Sequence, residues 1–231
     1  RGLGDVYKRQ VVGQALRGRR ADAVVVSKVY PHNASRTGVV SACEHSLRRL
    51  GIDRIDVYLL HWRGSHPFAA TGEGFEELLA AGKIGAWGVS NLDTEDLAEL
   101  RAVPGGDACA TNQILYNLTR RGPEAELLVA MAAAGMPAMA YSPVEQGRLL
   151  RPGTGLDALR AVGDRYDATP AQVALAWTVR GGDVLAIPKS ANPERARENA
   201  AALDLTLDAD DLGTLDAAFP PPSGPVPLQM L

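Results

Sequence analysis

The chain has 231 residues, 46% of them hydrophobic, and a formal charge of -3 at pH 7, values that suit a domain with a substantial core. No basic run is longer than pairs such as Arg19-Arg20 and Arg120-Arg121, which excludes a nucleic-acid binder by composition. No apolar run approaches the roughly 18 residues of a membrane helix, and Cys43 and Cys109 lack any disulfide or zinc spacing, so no membrane partner and no metal are expected and a reducing cytoplasm is the expected compartment.

Taken in order, residues 1–10 (RGLGDVYKRQ) show neither a helical stripe nor a strand alternation. They are expected to be a non-native segment standing where the native start is missing, and they run without a capping signal into a helix already under way at Val11 to Leu16. A β-branched run then predicts a strand over residues 23–28, followed by a helix over 36–50 with Cys43 on its apolar face. The run Asp56-Val57-Tyr58-Leu59-Leu60 predicts a strand buried on both faces, ending abruptly at His61 and Trp62. A Gly/Ser/Pro-bearing loop is expected over 63–72 and a helix over 74–81. Further strands are expected over 85–89, 108–111, 137–140 and 184–187. The intervening helices fall at 93–103, 124–134, 156–166 and 170–180, the last begun by Thr169 with Pro170 at its first position. Helices over 193–203 and 208–219 and an irregular Pro-rich tail close the chain.

Six strands alternating with helices make an α/β domain. Two architectures produce this alternation, an open doubly wound sheet and a closed eight-stranded βα barrel. The open sheet advertises its phosphate site as a Gly-rich turn after its first strand, whereas Ser27-Lys28-Val29-Tyr30-Pro31 holds no glycine. The barrel needs two more strands. At about 250 residues for eight units, a fragment lacking its first two strands would account for them, so the expected fold is a (β/α)8 TIM barrel, incomplete, with residues 11–231 as a single domain.

Barrels of this kind place reactive groups at the C-terminal ends of several strands. Here each predicted strand ends on one polar side chain: Lys28, His61, Asn91, Gln113, Tyr141 and Lys189. A lone histidine after an apolar strand is more often structural than catalytic, and a lysine there usually reaches solvent. Six convergent cases reverse that balance.

The stretches Ser27-Lys28, Leu60-His61-Trp62, Gly88-Val89-Ser90-Asn91, Asn112-Gln113, Ala140-Tyr141-Ser142 and Ile187-Pro188-Lys189-Ser190, continuing through Arg195 to Glu198-Asn199, resemble the aldo-keto reductases in order and spacing. The resemblance implies an NADPH-dependent reduction of an aldehyde or ketone to an alcohol, with a small carbonyl substrate, no metal and a monomer as the usual form. Hydride passes from the nicotinamide to the carbonyl carbon while a tyrosine donates a proton to the developing alkoxide. Lys28 matches the lysine that lowers that tyrosine's pKa, and His61 matches the histidine that orients and polarises the carbonyl oxygen. Trp62 would line the substrate pocket. Ser90, Asn91 and Gln113 match the residues that hold the nicotinamide carboxamide. Tyr141, followed by Ser142, matches the aromatic that stacks on the nicotinamide ring. Lys189, Ser190 and Arg195 match the cluster around the adenosine 2′-phosphate, which favours NADPH over NADH. Glu198 and Asn199 match residues near the adenine. The segment His61-Trp62-Arg63-Gly64, in place of the commoner His-Trp-Pro, is similar to members that reduce small aldehydes and dicarbonyls, with residues 63–72 and the tail from Pro220 as expected pocket walls.

The pattern breaks upstream. The family's catalytic tyrosine and the aspartate that pairs with its lysine stand further apart than Asp5 and Tyr7, which are two positions apart, and the family's neighbouring glycine and acidic residue are absent. Tyr7 is therefore read as a coincidental match, retained as a third catalytic candidate. Two expectations follow: a reductase whose fragment this is, or a non-catalytic NADPH-binding chain that lacks its proton donor. Loss of that donor would remove a general-acid contribution of roughly 100- to 10,000-fold.

Overall fold

A computed structural model describes residues 2–231, with side chains from Tyr7 onward. The chain falls into two compact units that divide between Thr111 and Asn112, a boundary with no composition shift to announce it. Among the described residues six strands alternate with helices, the α/β pattern expected.

The first unit contains α1 (Gly2–Ala15), β1 (Val26–Val29), α2 (Arg36–Leu50), β2 (Ile55–Leu60), α3 (Phe68–Ala80), β3 (Ile84–Ser90) and α4 (Thr94–Ala102). Strands β1, β2 and β3 pair in that order, all parallel, with Lys28 opposite Leu59 and Leu60 opposite Val89. Ile55, Tyr58, Leu59 and Leu60 are all buried, as befits a strand covered on both faces. Helix α2 begins where Ser35 accepts from the Gly38 N–H and ends where Gly51 turns left-handed at φ 65°. Cys43 is buried in the core, as expected for its face. Helices α2 and α3 approach so closely that a Cβ on Gly74 would stand 2.8 Å from both the Arg36 carbonyl oxygen and Val39 Cβ.

Residues 2–10 belong to α1 although they carry no stripe, so the helix expected from Val11 extends further back. Two expectations are corrected in this unit. Helix α3 begins at Phe68, within the expected loop. Burial of Phe68 and the Thr71 hydroxyl's 2.7 Å bond to the Ala34 carbonyl hold its first turns, so packing overrides the glycines that made the stretch look irregular. The expected strand over 108–111 is displaced: residues 106–108 form a 3-10 turn, and only Ala110 and Thr111 pair with β3, through Ala110 N–H to Trp87 O and Val89 N–H to Thr111 O.

The second unit contains β4 (Asn112–Leu115), α5 (Leu127–Ala133), β5 (Ala138–Tyr141), α6 (Thr154–Asp164), α7 (Pro170–Val179), β6 (Val184–Ala186), α8 (Pro193–Ala201) and α9 (Ala209–Ala218). Strands β4, β5 and β6 pair in parallel in that order. Asn112 and Gln113 therefore open a strand instead of following one, and Gln113 lies opposite Met139, two residues short of the level of Tyr141. Thr169 and Gln172 form the capping box that starts α7. Fully buried Trp177 on that helix receives two guanidinium groups, Arg180 at 3.9 Å and Arg121 at 5.0 Å from its ring centroid. The tail from Pro220 has no regular structure, and it packs so that a Cβ on Gly122 would meet Val226 Cγ2 at 2.6 Å.

Candidate active site

In the first unit the polar ends of the strands gather around His61. Its backbone N–H donates to the Val29 carbonyl at 2.9 Å, extending the β1–β2 ladder one step past the last apolar residue. Its own carbonyl accepts from Asn91 Nδ2 at 3.1 Å, and that nitrogen also donates to Ser90 Oγ at 3.1 Å. Asn91 adopts φ 58°, a left-handed conformation that asparagine tolerates better than most residues, and Ser90 is fully buried. The turn after β3 thus fixes the backbone that carries His61.

The imidazole of His61 sits in an aromatic wall. Its ring centroid lies 4.6 Å from Trp62 and 5.2 Å from Tyr30. Tyr30 in turn meets Trp62 edge-on at 5.5 Å and stacks on His32 at 5.5 Å with a 14° interplanar angle. Sequence reasoning missed Tyr30. The signal was present, because Lys28 and Tyr30 are two residues apart and residues so spaced along an extended chain share a face. Trp62 is 37% exposed, and Arg63 beside it bonds Glu99 through two nitrogens, at 2.8 and 3.0 Å, and Asp96 at 2.9 Å. The Arg63 guanidinium also lies 4.3 Å from the Phe68 ring centroid.

Lys28 lies within β1, and its carbonyl accepts from Arg9 Nη2 at 3.3 Å while Ser27 Oγ accepts from Arg9 Nε at 3.2 Å. Tyr7, on α1, is 68% exposed, and among the described residues no hydrogen bond links it to Lys28 or His61. Asp5 lies outside the residues whose side chains are described.

In the second unit Gln113 is buried and its Nε2 approaches Met139 Sδ at 3.6 Å. Tyr141 ends β5 half-buried, and burial pushes its phenol pKa up, with the Leu231 backbone opposing and the Glu145 carboxylate adding to the shift. Ser142 follows with φ 52°, its carbonyl accepting from Asn117 Nδ2 at 2.9 Å and from the Glu145 N–H at 2.8 Å. Past β6, Lys189 and Arg195 are exposed, and among the described residues neither forms an ion pair. Asn192 caps α8 by accepting from the Glu194 N–H at 2.8 Å, and Ser190 Oγ accepts from the Asn192 N–H at 3.0 Å. Glu198 and Asn199 follow Arg195 by about a turn of α8. Pro188, Ser190, Ala196 and Asn199 line a cavity of about 620 Å³.

Residues 3–219 match the Aldo/keto reductase family. The chain belongs to that family. The match begins inside the segment that carries no helical stripe. Methylglyoxal reductase YeaE of Escherichia coli (strain K12) is 47% identical over 223 residues, which cover 96% of this chain and 78% of that protein. Glyoxal reductase of Bacillus subtilis (strain 168) is 33% identical over 201 residues, covering 86% and 69%. A crystal structure of an aldo/keto reductase from Klebsiella pneumoniae in complex with NADP and acetate superposes with a TM-score of 0.92 at 48% identity, over 96% of this chain and 79% of that one. This aldo-keto reductase chain therefore has the α/β barrel-type fold of its relatives. In each unit three parallel strands alternating with helices are counterparts of that architecture.

Proposed function

We propose that this chain binds NADPH and reduces a small aldehyde or dicarbonyl to an alcohol. The observation that carries the reading is the His61 arrangement: an imidazole placed just past a buried strand, its backbone tied to Asn91 and its ring set against Tyr30 and Trp62. The relatives named methylglyoxal reductase and glyoxal reductase support the substrate class, and the NADP complex of the Klebsiella protein supports the cofactor.

The residues present suit that cofactor. Among the described residues Lys189 and Arg195 pair with no carboxylate, and they stand in sequence with the hydroxyl of Ser190 and the start of α8, a donor set that fits a dianionic phosphate. Ser90 and Asn91 offer a hydroxyl and an amide in one turn, and the Gln113 side chain offers an amide in β4; each is a kind of partner that a carboxamide takes. Tyr141 presents a ring for stacking, Glu198 and Asn199 stand on the helix that follows the phosphate cluster, and Ser142 orders the turn beyond Tyr141. When bound, NADPH supplies the hydride. The His61 imidazole hydrogen-bonds the carbonyl oxygen and steadies the charge that develops on it, Trp62 and Tyr30 shield the reacting carbon from water, and Lys28 favours deprotonation of a neighbouring acid.

A second reading has its own observation. Tyr7 is two-thirds exposed, so a chain that binds NADPH without turning it over is the alternative. NADPH affinity by fluorescence, together with NADPH oxidation in the presence of methylglyoxal, decides between them. Binding with turnover abolished by His61→Ala supports the reductase. Binding without turnover supports the alternative, and absence of binding overturns both.

A further inference from the structure

The least accounted-for group in the second unit is a carboxylate. Glu145 is 4% exposed, yet it lies in the turn that follows Tyr141 and Ser142, and no role in binding has been given to it above. Its Oε1 accepts from Arg120 Nη2 at 2.8 Å, Arg120 Nε at 3.2 Å and Arg148 Nη1 at 3.2 Å, and its Oε2 accepts from Asn117 Nδ2 at 2.8 Å. A buried carboxylate carries a large desolvation cost, which is met only by such a full set of charged and polar donors. Burial pushes its pKa up, but Arg120, Asn117 and Arg148 outweigh that and hold it below the usual carboxylate range.

The backbone around it is equally unusual. Ser142, Glu145 and Gln146 have φ of 52°, 47° and 54°, and Gly147 follows at 82°. Three non-glycine residues in the left-handed region within five positions are disfavoured and persist only where the surroundings over-determine them. Those surroundings are the Glu145 network. Buried Asn117 uses one amide nitrogen to bond both the Ser142 carbonyl and Glu145 Oε2, and its own Oδ1 is fixed by the Thr119 N–H and hydroxyl, each at 2.9 Å. The carboxylate and the Ser142 peptide are thus held by a single side chain.

We propose that Glu145, with Arg120 and Asn117, is a positioning residue for the nicotinamide half of the cofactor: it holds the turn from Ser142 to Gly147 in its left-handed form and so sets the exit of β5 at Tyr141 and Ser142. The inference rests on the NADPH reading above. Arg120 extends the same network outward, donating from Nη1 to Gln229 Oε1 at 2.8 Å, so the tail is a separate influence that a control must isolate.

The test measures the affinity of the full chain and its variants for NADPH and for adenosine 2′,5′-bisphosphate, which presents only the phosphate-adenosine half. Glu145→Gln is expected to weaken NADPH binding about tenfold, the scale of losing a hydrogen bond to a charged group, and to leave the bisphosphate affinity unchanged. A general loss of folding lowers both affinities, so the ratio separates positioning from structural damage. Gln229→Ala, which removes the tail's bond to Arg120 and leaves Glu145 its donors, is expected to lower NADPH affinity less than Glu145→Gln does. If Glu145→Gln fails to fold, Arg148→Gln removes one half-exposed donor from the same oxygen and is expected to lower NADPH affinity about threefold with the same selectivity. Equal NADPH affinity in the variants and the parent chain overturns the inference, as does an equal loss for both ligands in a folded variant. Failure of the parent chain to bind NADPH instead overturns the functional reading on which it rests.

Discussion

Asn91 holds His61 by its backbone, its side-chain amide donating to the His61 carbonyl at 3.1 Å across two neighbouring strands. The left-handed φ of 58° at Asn91 is tolerated by aspartate as well as asparagine, so Asn91→Asp keeps the turn while setting a carboxylate oxygen against that carbonyl. We expect about a tenfold or greater fall in methylglyoxal-dependent NADPH oxidation, the scale of an unmade hydrogen bond at a buried acceptor. An unchanged rate would mean that the amide does not hold the imidazole in place.

The two thiols give a simpler measurement. Burial pushes Cys43 and Cys109 up to about 12 each, and both side chains are buried. Because the thiolate is the reacting species, neither should be alkylated by iodoacetamide at neutral pH in the folded chain, and both should react in denaturant. Mass spectrometry of the intact protein after a timed exposure checks this. Rapid labelling of Cys43 without unfolding would show that α2 opens locally.

Acid stability is expected to depend on the start of α9. Asp208 accepts from the backbone N–H groups of Asp210 and Asp211 and bonds Arg165 at 2.7 Å. The Arg165 guanidinium and those N–H groups hold its carboxyl at about 2, below the ordinary 3.8. A depressed folded value means that its contribution is present above the unfolded value and is lost as pH falls through the folded one. The Tm difference between the parent chain and Asp208→Asn should therefore be present at neutral pH, shrink from about pH 4 to about pH 2, and vanish below. A constant difference across that window would assign the effect to capping alone. Arg165 also pairs with Asp211, which links α6 to the same helix start.

Much of this was legible in advance, for reasons that differ by element. Helix α2 could be bounded at both ends because its stop and start are local: Ser35 caps it, and Gly51 ends it. The β2 strand was legible because four apolar residues in a row, Val57 to Leu60, have few other fates. Helix α3 was not, since Thr71 is held by a residue distant in sequence, the Ala34 carbonyl that receives its hydroxyl, and Phe68 is buried beside the Arg63 guanidinium. The start of β4 was hidden for a related reason: the glycines at 105 and 106 permit a tight 3-10 turn, which consumes residues that read as strand. At the candidate site the strand-end residues were visible one at a time, but their bonding was not. Nothing in the letters tells that Asn91 reaches His61 or that Asn117 serves both Ser142 and Glu145, because each bond depends on which strands become neighbours.

Arg63 carries a last consequence. It secures the loop beside Trp62 to Asp96 and Glu99 on α4 through pairs whose side chains are 26% to 55% exposed, so dissolved ions compete for these contacts. One wall of the proposed pocket is fastened by forces that the surrounding electrolyte sets. Substrate preference in this chain should therefore drift with ionic strength, and a Michaelis constant measured in dilute buffer would describe a tighter pocket than the one at high salt.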